Sequence, residues 1–247
     1  MRINQPYGVR YEYEEFSEEP KKRYFIACEG KKTEYKYFKG IMDNKVEIKI
    51  NPLIEIIPIN HDPNTGSNPL HIYQEAIEAI KTAPNYLDGD DLCIIVDRDR
   101  SSFSEAQYTQ LLQADTNKEI RFCVSNPCFE LWLLLHFSDC SEYSQNDIFE
   151  NAKDGNRTYV EKCLMAKLGG SYNKARIHFE DNFKDKIRIA ILNSKLYETS
   201  LTELKDKIGT NIGLLIEEML DKESDSQSQT TRQTGGLNTA YKARFPS

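Results

Sequence analysis

The sequence predicts an α/β fold, in which a parallel four-stranded sheet is flanked by helices and followed by a helical C-terminal half. Two observations predict it. Residues 1–137 alternate short apolar runs with helical patterns four times, which is typical of parallel sheets covered by helices. Residues 141–220 contain helical patterns and no buried strand. The predicted sheet therefore belongs to the first part of the chain.

Each predicted strand is a continuous apolar run of strand length, as expected for strands that are buried on both faces. The runs span 23–28, 54–59, 92–96 and 120–124. Helical spacing of apolar residues predicts the intervening helices, of which the first begins at Thr33 as its N-cap. The other predicted helices span 70–82, 104–113, 128–137, 160–168, 174–183, 186–197 and 210–220.

Composition divides the chain into four segments. Residues 1–21 mix Tyr, Glu and Pro without a period, which predicts a flexible N-terminal extension. Residues 221–247 begin as a polar, low-complexity tail. Between them we expect an α/β domain over 22–140 and a helical region over 141–220 that packs on it.

Composition also excludes several classes of protein. The 32 Lys and Arg residues against 39 Asp and Glu residues give a net charge of −7, which argues against a general nucleic-acid coat protein but allows a local basic groove. No apolar stretch is long enough for a membrane helix, and the N-terminus has no signal-peptide pattern. The six cysteines form no CxxC pair and have no His partners at zinc spacing. We therefore expect a cytoplasmic protein with reduced core cysteines and no membrane contact.

Acidic residues follow two of the predicted strands at the point where each ends. Asp97 and Asp99 come directly after the run 92–96, and Glu29 follows the run 23–28. The carboxyl ends of parallel strands share one edge of the sheet, where open α/β sheets bind their ligands. Two carboxylates that meet there repel each other unless a cation lies between them, and Mg²⁺ is the obvious candidate. The alternative is that these acids form turns or cap helices.

Further candidates lie beyond these strand ends. Glu34 can face the same edge, and Glu130 stands early in the apolar helix after the last strand, as a metal ligand or as a partner of the helix dipole. Arg98 lies between the two aspartates and points to the opposite side, so we expect it to have structural partners. We assign His136 to packing or hydrogen bonding and Trp132 to the core.

Several sequence blocks resemble the RloB-like family, whose members carry a Toprim domain. A glutamate after the first strand and Asp-x-Asp after the third are the Toprim signature, here Glu29 and Asp97-Arg98-Asp99. The longest block is the Asn-Pro-x-Phe-Glu-x-Trp motif within 125–137, and further blocks lie at 28–34, 172–174 and 209–212. In the last block, Gly209 stands where the family usually has an Asn-Pro lead. The resemblance covers residues 22–220, most of the chain.

The resemblance implies a Toprim-like fold and a Mg²⁺-dependent nuclease, with Mn²⁺ as the alternative ion. Glu29, Asp97 and Asp99 would bind one or two ions, with Glu34 and Glu130 in a second metal site or its surroundings. Glu29 would alternatively act as general acid or base. Lys174 would neutralise charge in the transition state, or else be a surface lysine. The expected reaction is phosphodiester hydrolysis of nucleic acid, either RNA (tRNA included) or DNA.

The family setting implies the effector of a prokaryotic anti-phage abortive-infection system, often encoded beside an AAA- or ABC-type ATPase, with homo-oligomer formation left open. In a second hypothesis the effector is conditionally active or non-catalytic and the partner ATPase controls it. The lack of overall basicity favours such control. A third hypothesis is an aspartyl phosphatase or nucleotide-sensing domain. It ranks lowest because those enzymes place their acids after the first strand, where this chain has Glu29-Gly30.

Overall fold

A computed structural model describes residues 23–28, 32–50, 69–82, 86, 89–100, 103–114 and 120–220. Strands and helices alternate along the first part of the chain. The strands are β1 (Tyr24–Cys28), β2 (Asp91–Asp97), β3 (Ile120–Asn126), β4 (Lys153–Asp154), β5 (Arg157–Thr158) and β6 (Gly209–Thr210). The helices are α1 (Thr33–Asp43), α2 (Lys45–Ile48), α3 (Pro69–Thr82), α4 (Glu105–Ala114), α5 (Phe129–Leu134), α6 (Gln145–Glu150), α7 (Tyr159–Lys167), α8 (Phe179–Asn182), α9 (Ile187–Ser194) and α10 (Ile212–Met219), with 3₁₀ turns at Lys184–Lys186 and Glu203–Lys205.

The main sheet has the strand order β1-β2-β3-β6. The first three strands run parallel, with Ile26 opposite Cys93. β6 runs antiparallel to the end of β3, where Ser125 lies opposite Thr210. The prediction of a wholly parallel four-stranded sheet is therefore wrong, because the sheet of the described residues is mixed. The predicted strand 54–59 lies outside the described residues.

Alternate residues of the three parallel strands contribute to two hydrophobic cores, one on each face of the sheet. Ile26, Cys93 and Cys123 belong to the core that also contains α1, α5 and the C-terminal helices. Ala27 and Ile94 belong to the core that α3 and α4 complete. Because both faces are buried, these strands form the continuous apolar runs that predicted them, and the predicted bounds differ from the observed ones by at most two residues.

The C-terminal helices share the first of these cores. Every residue of α5 is buried, and this helix packs against α7 and α9. The sequence predicted that residues 141–220 are helical and contain no buried strand. This prediction is wrong, because the described part of this segment also contains the hairpin of β4 and β5 and the buried strand β6. The predicted helix 174–183 is wrong over its first half, since only α8 is helical there. The predicted N-cap Thr33 is instead the first residue of α1, after Lys32.

Side-chain hydrogen bonds, besides backbone pairing, hold β6 in the sheet. The hydroxyl groups of Ser125 and Thr210 form a hydrogen bond of 2.9 Å inside the protein. The next residue, Asn211, continues the contact with its side-chain amide. That amide accepts from the Val124 N–H at 2.7 Å and donates to the Phe122 carbonyl at 2.9 Å. The two-residue strand β6 is therefore held by long-range contacts, which no local sequence pattern predicts.

Gly209, the departure from the family pattern, sits at a close approach of two backbone segments. A Cβ atom at this position would lie 2.0 Å from the carbonyl oxygen of Glu198. The Glu198 N–H in turn donates to the carbonyl of Ile208, at 3.1 Å. Glycine is the residue that allows this approach, because it has no Cβ.

The remaining structural expectations concern the interior. All six cysteines are free and buried, which confirms their assignment as core residues. Trp132 is fully buried, as predicted, and His136 hydrogen bonds inside the core to the Trp132 carbonyl and to the Tyr37 hydroxyl. No helix in the described part of the chain is long and apolar enough to cross a membrane.

Candidate active site

A cleft of about 710 Å³ opens at the carboxyl ends of β2 and β3. The turn after β2 forms one wall and carries Asp97 and Asp99. The start of α5 contributes Glu130, and the end of α6 with the hairpin of β4 and β5 forms the opposite wall. Lys174 lies in the same lining. The cleft thus occupies the edge of the sheet where the sequence predicts a ligand site.

Asp97 is the last residue of β2, and its carboxyl group is held at the start of α5. Its Oδ1 accepts a hydrogen bond from the Phe129 N–H at 2.7 Å. Burial, together with the negative charges of Glu34 and Glu130, raises the pKa of Asp97 well above its usual value. Lys174 and the Phe129 amide lower the pKa, but they do not outweigh these effects. Among the described residues, the positive charge near Asp97 is therefore too small to offset its burial and the neighbouring acids.

Asp99 lies two residues beyond Asp97 and is exposed. It lines the same cleft, so the structure brings the two aspartates of the Asp-x-Asp motif to one place. Glu34, in the first turn of α1, acts on Asp97 through its charge. Glu29 lies outside the described residues.

Arg98, between the two aspartates, is buried on the other face of the sheet. Its Nε donates to the Lys205 carbonyl at 3.2 Å, and its Nη1 donates to the Phe103 carbonyl. The guanidinium carbon lies 5.2 Å from the centre of the Tyr108 ring. These partners give Arg98 the structural role that the alternation of side chains predicted.

Glu130 and Lys174 meet where α5 begins, which we call the inner end of the cleft, in a network of four side chains. Glu130 is only 3% exposed, and its Oε1 accepts from the Tyr172 hydroxyl at 3.0 Å and from Lys174 Nζ at 2.9 Å. Lys174 Nζ also lies 2.7 Å from Oε1 of Glu161. Burial lowers the pKa of Lys174, but the two carboxylates outweigh it and leave that pKa raised. Lys174 is therefore a charged clamp between two buried acids.

The segment that carries Lys174 is fixed from both sides. The Arg157 guanidinium donates to the Tyr172 carbonyl at 2.9 Å, and Lys36 Nζ, in α1, donates to the Ala175 carbonyl. Asn173 closes a tight turn, because its Oδ1 accepts from the Ala175 N–H at 2.8 Å. These contacts hold residues 172–176 in a turn, so the predicted helix 174–183 does not begin there.

Glu161 is a site residue that the sequence reasoning missed. It is the N3 residue of α7, in a capping box with Thr158. The Thr-x-x-Glu spacing was a usable signal for a helix start. It does not reveal that one carboxylate oxygen of Glu161 caps the helix while the other binds Lys174. That second contact depends on the fold that brings residues 161 and 174 together.

Arg100, Phe149 and Lys153 are three further lining residues that the sequence reasoning missed. The guanidinium carbon of Arg100 lies 3.7 Å from the centre of the Phe149 ring, which is a stacking distance. Lys153, the first residue of β4, is exposed at the same rim. No sequence signal joins the turn after β2 to α6, because the two segments are far apart along the chain.

The donor chemistry of the cleft suits a hard cation. Among the described residues, no group of three or more His, Cys, Asp or Glu side chains is arranged to hold a metal ion. Asp97 and Asp99 nevertheless offer two carboxylates in one cleft. Mg²⁺ is usually bound through one or two carboxylates, with waters and substrate phosphates as its other ligands. The crowding of acids that raises the pKa of Asp97 is the condition that such a cation would relieve.

Comparison with known proteins identifies the family. The family model described as RloB-like protein matches residues 24–219. The match begins with the first residue of β1 and ends with the last residue of α10, so it spans the whole described fold. No curated protein and no solved structure matches the chain. The chain belongs to the RloB-like family.

Proposed function

We propose that the chain is a metal-dependent nuclease of Toprim type, which hydrolyses phosphodiester bonds of RNA, tRNA included, or of DNA. In this proposal it is the effector of a prokaryotic anti-phage abortive-infection system. The observation that carries the proposal concerns Asp97, at the end of a parallel strand in the cleft lining. Burial and the negative charges of Glu34 and Glu130 raise the pKa of its carboxyl group.

The balance of charge at the inner end of the cleft supports cation binding. Three carboxylates of the cleft lining lie there, from Asp97, Glu130 and Glu161, and among the described lining residues Lys174 pairs with Glu130 and Glu161. Buried charges in proteins are paired with opposite charges or coordinate metals. A Mg²⁺ or Mn²⁺ ion on Asp97 and Asp99 would restore the balance. When bound, it would polarise the scissile phosphate and lower the pKa of the attacking water.

The protein's own residues have separate roles in this proposal. Asp97 and Asp99 hold the ion, and Glu29, the next residue in the sequence after β1, joins them or exchanges a proton with the attacking water. Lys174 presents positive charge at the inner wall, where a reacting phosphate would gain negative charge. Glu130 keeps Lys174 in position, because its Oε1 lies 2.9 Å from Nζ.

Cleavage assays with a charge-removing variant test the proposal. Wild type should cut RNA or DNA in Mg²⁺ or Mn²⁺, and Asp97→Asn should not, because the amide is a poor ligand for the ion. Asp181→Asn is a matched control, since Asp181 is exposed on α8, outside the cleft lining. Cleavage that survives Asp97→Asn, or that persists in a chelator, would contradict the metal site.

A second candidate is an effector that is conditionally active or non-catalytic under the control of an AAA- or ABC-type ATPase. The net charge of −7 and the acidic inner end of the cleft favour it, because both repel nucleic acid from the isolated chain. Copurification with such an ATPase, and cleavage only in its presence, would support this candidate. Robust turnover by the purified chain alone would count against it.

A further inference from the structure

The rim of the cleft differs chemically from its inner end. Arg100 and Lys153 are exposed at the rim, and in the part of the chain that the structure describes neither forms an ion pair with a carboxylate. By contrast, Lys162 of α7 pairs with Asp154, which is next to Lys153 in β4. An unpaired cation at the mouth of a cleft is available for an anionic ligand.

Among the described residues, Arg100 has an aromatic partner, Phe149. Its guanidinium carbon lies 3.7 Å from the centre of the Phe149 ring, so the cation sits over the face of the ring. Phe149 is half-buried at the end of α6, and Ile148 beside it is buried in the core, so the ring stands on a fixed support. The contact joins the turn after the Asp-x-Asp motif to the opposite wall of the cleft.

We propose that Arg100 and Phe149 form a stacking platform for an unpaired nucleobase, so that the cleft takes single-stranded nucleic acid. This inference rests on the proposed nuclease function and names its substrate class. Aromatic rings and arginine planes are the groups on which proteins stack bases, and the bases must be unstacked from their neighbours to reach them. In a duplex both faces of each base are already covered, so the platform has no surface to receive.

Lys153 completes the arrangement on the facing hairpin. It is paired in register with Thr158, whose side chain caps α7, and α7 carries Glu161. Glu161 in turn pairs with Lys174, so the strand that carries Lys153 is connected to the network around Lys174. We assign Lys153 to the phosphate next to the stacked base. A lysine there contacts the phosphate, which single strands and duplexes share, and it reads no base.

Binding measurements that do not depend on cleavage test the platform. The full chain carrying Asp97→Asn is titrated against labelled single-stranded RNA, single-stranded DNA and the matching duplexes, with fluorescence anisotropy as readout. In this background, Phe149→Leu and Arg100→Lys should each weaken single-strand binding about fivefold or more and change duplex binding by less than about twofold. Phe149→Tyr, which keeps the ring, should retain the affinity.

Two variants serve as controls. Phe137→Leu removes a half-buried ring that also carries a cation, with Lys186 Nζ at 4.9 Å, but lies outside the cleft lining, and it should leave binding unchanged. Lys153→Gln should weaken the binding of single strands and of duplexes alike, and it should reduce the slope of log affinity against log salt by about one. Thermal unfolding of each variant establishes that it is folded.

The outcomes separate this inference from the proposed function. Single-strand binding to RNA or DNA that falls with Phe149→Leu and Arg100→Lys supports the platform, even if no metal-dependent cleavage is found. No binding to any single strand, equal losses on single strand and duplex, or no loss in these two variants would overturn it. Cleavage that requires Asp97 would still support the nuclease in those cases.

Discussion

His136 ties the stability of the protein to pH through one buried hydrogen-bond pair. Its Nδ1 lies 3.0 Å from the Trp132 carbonyl, which can only accept, so Nδ1 carries the proton. Its Nε2 then accepts from the Tyr37 hydroxyl, at 2.9 Å. A second proton on the ring would end the acceptor role of Nε2, so that the Tyr37 hydroxyl would have to reverse, and it would place a charge among the aromatic rings of Tyr37, Trp132 and Phe183.

The magnitude follows from the pKa of the ring in the two states. Burial lowers the pKa of His136 to about 3, whereas an unfolded chain has a histidine pKa of about 6.5. Below pH 6.5 the unfolded state therefore binds a proton that the folded state does not, and stability falls as the pH falls. Each pH unit costs about 1.4 kcal/mol until the pH approaches 3. At pH 5 the contribution of His136 is a loss of about 2 kcal/mol.

Urea unfolding, followed by the fluorescence of Trp132, measures this loss at neutral pH and at pH 5. His136→Gln can keep both hydrogen bonds and cannot take up the proton, so its stability should fall by about 2 kcal/mol less than that of wild type over the same interval. His178→Gln, at an exposed histidine, should behave as wild type. Equal losses in wild type and His136→Gln would refute the reasoning, whatever the absolute stability of the variant.

Three further predictions concern the cleft and the sheet edge. Asp97→Asn should raise the melting temperature of the metal-free protein, because it removes a carboxylate whose charge is disfavoured by desolvation and by neighbouring acids, and it should abolish any rise in melting temperature on adding Mg²⁺; a variant that melts below wild type in chelator would contradict this. Lys174→Met should cost about 2 kcal/mol by urea unfolding, less than a fully buried pair because Lys174 is half-exposed, and Glu130→Gln should restore part of it. If the changes in unfolding free energy of Lys174→Met and Glu130→Gln simply added in the double variant, the ion pair between Lys174 and Glu130 would be excluded as a stabilising contact. Gly209→Ala should cost about 2 kcal/mol or more, since its Cβ would meet Glu198, and an unchanged urea midpoint would exclude the close approach.

The sequence was sufficient for the elements whose burial is uniform. β1, β2 and β3 lie between two cores, so their apolar runs predicted them with nearly correct ends. The same runs, with the rule that parallel strands end at one edge, predicted that Asp97 and Asp99 lie together at that edge, and both line the cleft that opens there. These predictions succeed because they depend on local patterns and on one general rule of topology.

The failures occur where long-range side-chain contacts decide the structure. β6 is two residues long and carries no alternation, and its place beside β3 depends on Thr210 and on close packing at Gly209. The turn that carries Lys174 has helical spacing in its sequence, but its contacts to Arg157 and Glu130 hold it out of a helix. The contacts of Lys174 with Glu130 and of Thr210 with Ser125 join residues 44 and 85 positions apart, which no local sequence pattern connects.

The side chain of Asn211 has a consequence for how the molecule associates with others. Its amide occupies one N–H and one carbonyl group of β3, at Val124 and Phe122, in the positions that another strand would use. An exposed strand edge invites pairing with a foreign chain, which leads to aggregation or to capture of extended peptides. Here the amide of one residue, Asn211, takes the hydrogen bonds that a neighbouring strand would otherwise make with this part of β3. A partner that engages the protein near the carboxyl end of β3 must therefore recognise side chains, because the backbone there is already satisfied.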